Sequence, residues 1–256
     1  MGKDISFILS DWAYEPGKIS ARKIVGDDGR PKIQFRLDLG VLQMEIEGRP
    51  DGQRPYGCES VLEYLEKALE QHRRRQASAE GFTVDAADCE RLRTESLQYY
   101  HRYLCEFVLE EYAAVVRDTD RNLRMLDFCG RYAREESDRF ALEQYRPYML
   151  MMNVRARGQL LFQGRHPDEA RALVRGGLES LRQFYARFGQ EEFYATSKEV
   201  AALEELLREI EGQMPPDPVG QLKRLLAKAV EEERYEEAAR LRDQIARQAK
   251  PDLPEV

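Results

Sequence analysis

Val219-Gly-Gln-Leu-Lys-Arg-Leu-Leu-Ala-Lys-Ala-Val-Glu-Glu-Glu-Arg-Tyr-Glu-Glu-Ala-Ala-Arg-Leu-Arg-Asp-Gln-Ile245 spells two short amphipathic helices and the bend between them. Leu222, Leu225, Leu226 and Ala229 recur at the three- and four-residue spacing of one helix stripe, and Ala238, Leu241 and Ile245 resume that spacing after a break. From Glu231 to Tyr235 the chain is charged except for the tyrosine, and the small Ala238 and Ala239 allow the second helix to approach the first closely. Pro215-Pro216-Asp217-Pro218 stops whatever precedes, with Asp217 placed to cap the new helix and Pro218 suited to its first turn. The second helix has no Ser, Thr, Asp or Asn cap, which leaves its start unmarked. So small a pair buries too little apolar surface to offset the entropy of ordering its residues, and it must pack on something else.

The pattern Tyr235-Glu236-x-Ala238-Ala239-x-Leu241-Arg242-Asp243-x-Ile245, preceded by Leu222 and Leu226, resembles the UVR motif, a hairpin shared by the bacterial excision-nuclease subunits UvrB and UvrC. Similar hairpins occur in a Clp-type chaperone and its regulatory partner. The resemblance implies contact rather than chemistry: the hairpin pairs with another copy of itself or with a partner protein, and carries no catalytic residues. Carried onto this chain, it makes Leu222, Leu226, Ala238, Leu241 and Ile245 apolar anchors. Ala239 becomes a close-approach position, Arg242 and Asp243 the selective rim, and Tyr235 the residue that fixes the bend. Leu241→Asp is then expected to abolish association with helicity nearly unchanged. An ordinary terminal hairpin of a helical repeat protein is the alternative.

Outside this hairpin, 256 residues suit one or two folded units plus a small appendage. An apolar content of 42% supports a core, and 34% charged residues of mixed sign point to amphipathic helices. The net charge of −7 argues against a general nucleic-acid binder. The start Met1-Gly-Lys-Asp lacks a basic-then-apolar leader and no run approaches bilayer-spanning length, so a soluble cytoplasmic protein without membrane contact is expected. Cys58, Cys89, Cys105 and Cys129 form no Cys-x-x-Cys pair and read as reduced, mostly buried thiols.

Residues 1–57 read as an antiparallel β-unit. Ile19 to Val25 and Ile33 to Leu39 alternate about the turn Gly26-Asp-Asp-Gly-Arg-Pro31, Leu42, Met44 and Ile46 add a third strand, and turn residues from Gly48 to Pro55 close the unit. The alternation turns Lys32, Gln34 and Arg36 away from the apolar face. That face needs cover, and the helix starting near Glu59, with Val61, Leu62, Leu65 and Leu69 on one side, is the nearest candidate. Residues 58–81 hold this helix, ending in His72-Arg73-Arg74-Arg75, and a linker. Residues 82–214 are helical hairpins: a helix through Leu92 to Val108, a bend at Leu109–Val115, a helix through Tyr145 to Phe162, a turn at Gly164–Ala170, and a last helix behind Ser197 as cap. Gly158, Gly164, Ala170, Val174 and Gly177 put small residues where helices come closest, in a manner similar to a tetratricopeptide repeat, and Tyr112 before Val115 and Tyr235 before Ala238 echo the same bend. The bends are not set at multiples of the ~34-residue tetratricopeptide period, so an open array and a closed bundle both remain. Residues 215–256 complete the chain as hairpin and tail.

The expected fold class is therefore α+β and mostly α: an N-terminal β-unit, a central array or bundle of helical hairpins and a C-terminal two-helix hairpin. Phosphate-binding glycine loops and nucleophile elbows are absent, as are metal-spaced ligands, so neither cofactor, metal nor catalytic residue is assigned. Tyr99, Tyr100 and Tyr103, and the Met149, Met151, Met152 cluster, read as core rather than base-stacking or cofactor sites. A broader resemblance, through Lys32 to Glu45, Gly48-Arg-Pro-Asp-Gly52 and the terminal hairpin, is to bacterial proteins described only as UvrB/UvrC-motif-containing. It implies no activity, and the helicase and nuclease motifs of the excision nuclease are missing. The function expected is non-catalytic protein docking. Two alternatives stand beside it: direct DNA contact in excision repair through Arg73, Arg74 and Arg75, and an enzyme using the Arg49-Pro-Asp-Gly loop of the β-unit.

Overall fold

Alternating side chains between residues 21 and 45 become a three-stranded antiparallel sheet in the computed structural model, which describes residues 4–214 and 218–248. Its strands are β1 (Ala21–Val25), β2 (Pro31–Leu37) and β3 (Gly40–Glu45), in that order, with Ile33 of β2 opposite Lys23 on one side and Met44 on the other. The helices are α1 (Ser6–Leu9), α2 (Val61–Gln76), α3 (Ala86–Val108), α4 (Tyr112–Tyr132), α5 (Glu136–Glu143), α6 (Arg146–Gln163), α7 (Pro167–Arg187), α8 (Glu191–Tyr194), α9 (Lys198–Gln213), α10 (Pro218–Glu231) and α11 (Tyr235–Gln248). Two compact units result, Met1–Glu211 and Gly212–Val256. Segments 1–57 and 58–81 share the first unit with the helices that follow.

The cover of the sheet differs from the sequence expectation. Ile33 and Met44 pack on Cys105 of α3, with Leu109 just beyond it, whereas Val61, Leu62, Leu65 and Leu69 of α2 join Leu92, Met125, Leu126, Phe128 and Cys129. Proximity in sequence favoured α2, but α3 is longer and serves both partners, the sheet at its C-terminal half and α2 at its N-terminal half. The polar face of β2 is covered as well: Lys32, Gln34 and Arg36 are all buried. Arg36 Nε donates to the Trp12 carbonyl at 2.8 Å, Trp12 Nε1 donates to Ser20 Oγ at 2.7 Å, and the Arg22 guanidinium lies 4.3 Å over the Trp12 ring. Strand alternation separates two faces without saying which face meets water; here Trp12 takes up Arg36, Asp28 and Glu45 take up Lys32, and Arg22 and Gln43 take up Gln34.

Caps set the helix starts. Ser60 accepts from the Glu63 amide at 3.0 Å, Asp85 from that of Asp88 at 2.8 Å and Ser197 from that of Val200 at 3.3 Å. Asp217 and the two preceding prolines lie outside the described residues. Consecutive long helices pack in series, α3 on α4, α4 on α6 and α6 on α7. Bare backbone at Gly158 and Gly177 brings α6, α7 and α9 together: a Cβ at Gly177 would lie 2.8 Å from a Val154 methyl and 3.3 Å from Leu203, and one at Gly158 would lie 3.2 Å from Leu206. Of the small residues picked out in the sequence, Gly158, Val174 and Gly177 stand at that contact, Ala170 is buried near the start of α7, and Gly164 is in the turn.

Three of the bends between helices are one motif. Glu110, Arg165 and Glu233 have φ of 60°, 62° and 55°, the left-handed region. In each, that residue's amide donates three residues back and the next amide donates five back: Glu110 to Phe107 and Glu111 to Glu106, Arg165 to Phe162 and His166 to Leu161, Glu233 to Val230 and Arg234 to Ala229. This is the Schellman ending, which satisfies the last helical carbonyls. The helix that follows buries its fourth residue each time, Val115, Ala170 and Ala238.

Candidate docking hairpin

The second unit has an apolar cluster of its own. Ala229 of α10 meets Ala238 and Leu241 of α11, with Leu222 and Leu226 packed against them as partly buried neighbours. Alanine at the contact nearest the bend shortens the distance between helix axes, as expected of the Ala238 position. Leu222, Leu226, Ala238 and Leu241, assigned as anchors, therefore face the partner helix of the same hairpin. Ile245 is half-buried, while Ala239, Arg242 and Asp243 are exposed. An ion pair of 3.5 Å between Arg242 and Asp243, on adjacent residues and in water, contributes little to stability and leaves both free to meet another surface.

Two expectations change with this geometry. The bend is fixed by Glu233, which adopts the left-handed conformation, while Tyr235 is the first residue of α11 and is 67% exposed. The consequence of Leu241→Asp also changes: Leu241 is 8% exposed inside the hairpin, so a carboxylate there would enter its own core and unfold the pair.

Among the described residues, the large apolar side chains that the hairpin turns outward are Leu225, 50% exposed, Val230, 51% exposed, and Tyr235. Around them the tip is acidic, with Glu231, Glu232, Glu233, Glu236 and Glu237 all exposed. Arg234 pairs with Glu232 and Glu237, and Lys228 stands 3.9 Å from Glu232. Val230 went unassigned because the apolar stripe gives way to charge there, and Leu225 lies at the stripe's edge, which one facing helix cannot cover. Their signal was an apolar pattern wider than a single helix contact.

The two alternative sites have local explanations. Arg73 Nη2 donates to the Tyr132 hydroxyl at 3.1 Å and Arg74 Nε to Glu70 at 3.0 Å, in a surface where Glu66 and Asp127 are interspersed with Arg124 and Arg131; Arg75 is exposed in the same last turn of α2. Arg49 lies 3.2 Å from Asp51, 3.6 Å from Glu95 and 3.4 Å from Gln98, while the Gly48 carbonyl accepts from Arg102 at 2.8 Å. These contacts make the Arg49-Pro-Asp-Gly loop a clamp between sheet and α3. Cys58, Cys89, Cys105 and Cys129 are free thiols and buried. Among the described residues no helix is long and apolar enough to cross a membrane, and no group of three His, Cys, Asp or Glu side chains is placed to hold a metal ion.

Comparison with known proteins gives one result. No curated protein and no solved structure matches the chain. Residues 218–248, the span from the start of α10 to the end of α11, match the family model of the UvrB/uvrC motif, which is found in DNA-repair proteins and is associated with protein interaction.

Proposed function

We propose that this chain is a non-catalytic adaptor of the bacterial cytoplasm, docking through the α10–α11 hairpin onto another protein or a second copy of itself. The observation that carries the reading is the match of the hairpin to an interaction motif, on a unit that has its own apolar cluster and still turns Leu225, Val230 and Tyr235 outward. An exposed tyrosine with two exposed apolar residues on the same hairpin, and carboxylates around the bend, is the composition of an interface anchor with a selective edge. The tetratricopeptide-like helices of the first unit serve as the scaffold. Because the motif occurs in repair proteins, a repair complex is the second setting for the same docking step, with the hairpin and not Arg73 to Arg75 making the contact.

The test compares the full chain, the chain ending at Gln213 and the full chain carrying Leu225→Glu with Tyr235→Ala, by light-scattering mass in solution and by affinity capture of partners. Loss of the same partner, or of the same dimer mass, in both altered chains supports the hairpin, provided circular dichroism shows the double variant still helical. Retention of every partner and of the mass by the double variant overturns the reading.

A further inference from the structure

A cavity of about 460 Å³ opens in the first unit between α3 and the start of α6. Its wall is built by Tyr100 and Tyr103 of α3, Tyr145 and Tyr148 at the beginning of α6, Leu97, and Arg93. The spacing explains the assembly: residues 93, 97, 100 and 103 form one stripe of α3, and Tyr145 and Tyr148 are three apart on the facing helix end. Tyr100 meets Tyr103 edge-on, centroids 5.5 Å apart at 88°, and meets Tyr148 at 5.9 Å and 59°. Tyr99 points elsewhere, stacked under Arg121 at 4.3 Å and Arg102 at 5.0 Å.

Two features distinguish this cavity from a gap in packing. Its volume and aromatic lining are those of a small-molecule site. The hydroxyl of Tyr103, a residue with no solvent exposure, has no hydrogen-bond partner although it is enclosed. A buried polar group left unpaired is costly; Tyr103 lines this cavity but its hydroxyl is covered, so a partner from outside reaches it only when a neighbouring ring such as Tyr100 shifts. The Tyr103 phenol is held well above its ordinary range by burial and by the nearby phenols of Tyr148 and Tyr100, so it stays a neutral donor. Among the described residues Arg93 is the one charged group on the wall and no carboxylate lines it, which disfavours a cationic guest. Arg93 is held bidentately by Glu90 at 2.7 Å in an exposed pair, loose enough to share with an anionic group at the mouth.

We propose that this cavity binds a planar aromatic small molecule, its ring among the four tyrosines, displacing the Tyr100 edge so that one of its oxygens accepts a hydrogen bond from the covered Tyr103 hydroxyl. An aromatic acid or phenol fits this description, with any carboxylate left at the Arg93 mouth. The site is independent of the docking hairpin.

The probes are 6-hydroxy-2-naphthoate, 2-naphthoate and tetramethylammonium, titrated calorimetrically into the full chain. One-to-one binding of 6-hydroxy-2-naphthoate with a Kd below about 1 mM is expected. Tyr103→Phe should weaken it about tenfold while changing 2-naphthoate, which lacks the phenolic oxygen, by less than about twofold. Leu97→Glu, at a half-exposed position where the fold tolerates change, should abolish both; thermal melting checks that each variant is folded. No saturable binding of either naphthoate, unaltered binding in Leu97→Glu, equal effects of Tyr103→Phe on both probes, or binding of tetramethylammonium instead would each overturn the proposal.

Discussion

Arg102 and Asp118 form a closed bidentate pair inside the protein, Nε to Oδ2 at 2.6 Å and Nη2 to Oδ1 at 2.8 Å, with both side chains 1% exposed. The remaining nitrogen of Arg102 donates to the carbonyls of Glu45 at 2.9 Å and Gly48 at 2.8 Å. One guanidinium thus joins α3, α4 and the end of β3. Replacing Arg102 leaves the buried Asp118 with Arg117 alone, 2.9 Å away, and replacing Asp118 leaves Arg102 with Glu106 at 3.7 Å, at a cost of up to about 3–5 kcal/mol. Arg102→Lys should recover little, because an ammonium cannot reproduce the planar fork or reach both carbonyls at once. Urea denaturation of Arg102→Ala, Arg102→Lys and wild type measures both effects; a lysine variant within about 1 kcal/mol of wild type would contradict the fork argument.

Glu95 and Arg121 make a second buried pair, and the Glu95 carboxylate also accepts the amides of Val61 at 2.8 Å and Leu62 at 3.4 Å. A buried side chain of α3 therefore holds the first turn of α2, where the helix dipole favours negative charge. Glu95→Ala should destabilise by about 3 kcal/mol or more, with Arg121 left uncompensated and two amides released. Hydrogen exchange should show the loss first in α2, and protection spread evenly over the unit would argue against this local role.

These two pairs explain what was hard to read in the sequence. Strand period, helix stripes, the Ser197 cap and the small residues at Gly158 and Gly177 are local patterns, and they are legible because each depends on neighbours in the chain. Burial of Glu95, Arg102 and Asp118 depends on partners 16 and more residues away, so a charged residue on a helix looks solvated until the fold is known. The hairpin was recognisable for the same local reason as the cap, but which of its apolar residues turn inward was not, since a stripe does not reveal how much of its width the facing helix covers. Tyr100 and Tyr103 looked like core, and became a cavity wall only when Tyr145 and Tyr148 came opposite.

Burial, and then the neighbouring Asp118 carboxylate, push the Glu106 carboxyl up to about 8 from its ordinary 4.5, and one of its oxygens has no partner. A carboxyl whose folded pKa is raised binds more protons folded than unfolded at intermediate pH. Stability must then fall as pH rises from about 4.5 to about 8 and level off above, the slope following the proton difference. Nearby Arg102 and Arg117 hold the shift down to this value, and a carboxyl moved from 4.5 to about 8 loses up to about 5 kcal/mol across that range. Glu106→Gln should flatten this part of the stability profile. An unchanged slope in that variant would assign the pH dependence to other groups.

Adjacent glycines in α7 should answer oppositely to alanine. At Gly177 the new Cβ meets Val154 at 2.8 Å and Leu203 at 3.3 Å, so Gly177→Ala pushes α7 away from α6 and α9 and should cost about 1–3 kcal/mol. At Gly176 nothing lies within 4 Å, and Gly176→Ala should stabilise by up to about 1 kcal/mol through helix propensity alone. Thermal melts of the two variants decide it, and equal signs would mean that the α6–α7 contact yields more easily than its geometry implies.

Glu110, Arg165 and Glu233 occupy left-handed positions that glycine fills without steric penalty, as Gly189 does after α7 with φ of 62°. An L-residue there costs roughly 1–2 kcal/mol, partly offset by the greater freedom glycine brings to the unfolded chain. Each single change to glycine should therefore raise stability by about 0.5–1 kcal/mol, and Gly189→Ala should lower it by a similar amount. The three sites need not respond in the same transition, because Glu233 belongs to the hairpin unit and the other two to the first unit. A melt followed by residue-resolved hydrogen exchange should place the Glu233→Gly gain in α10 and α11 and the other gains between α3 and α7. A loss of stability on Glu233→Gly would show that its side chain does more at the acidic tip than bear the turn.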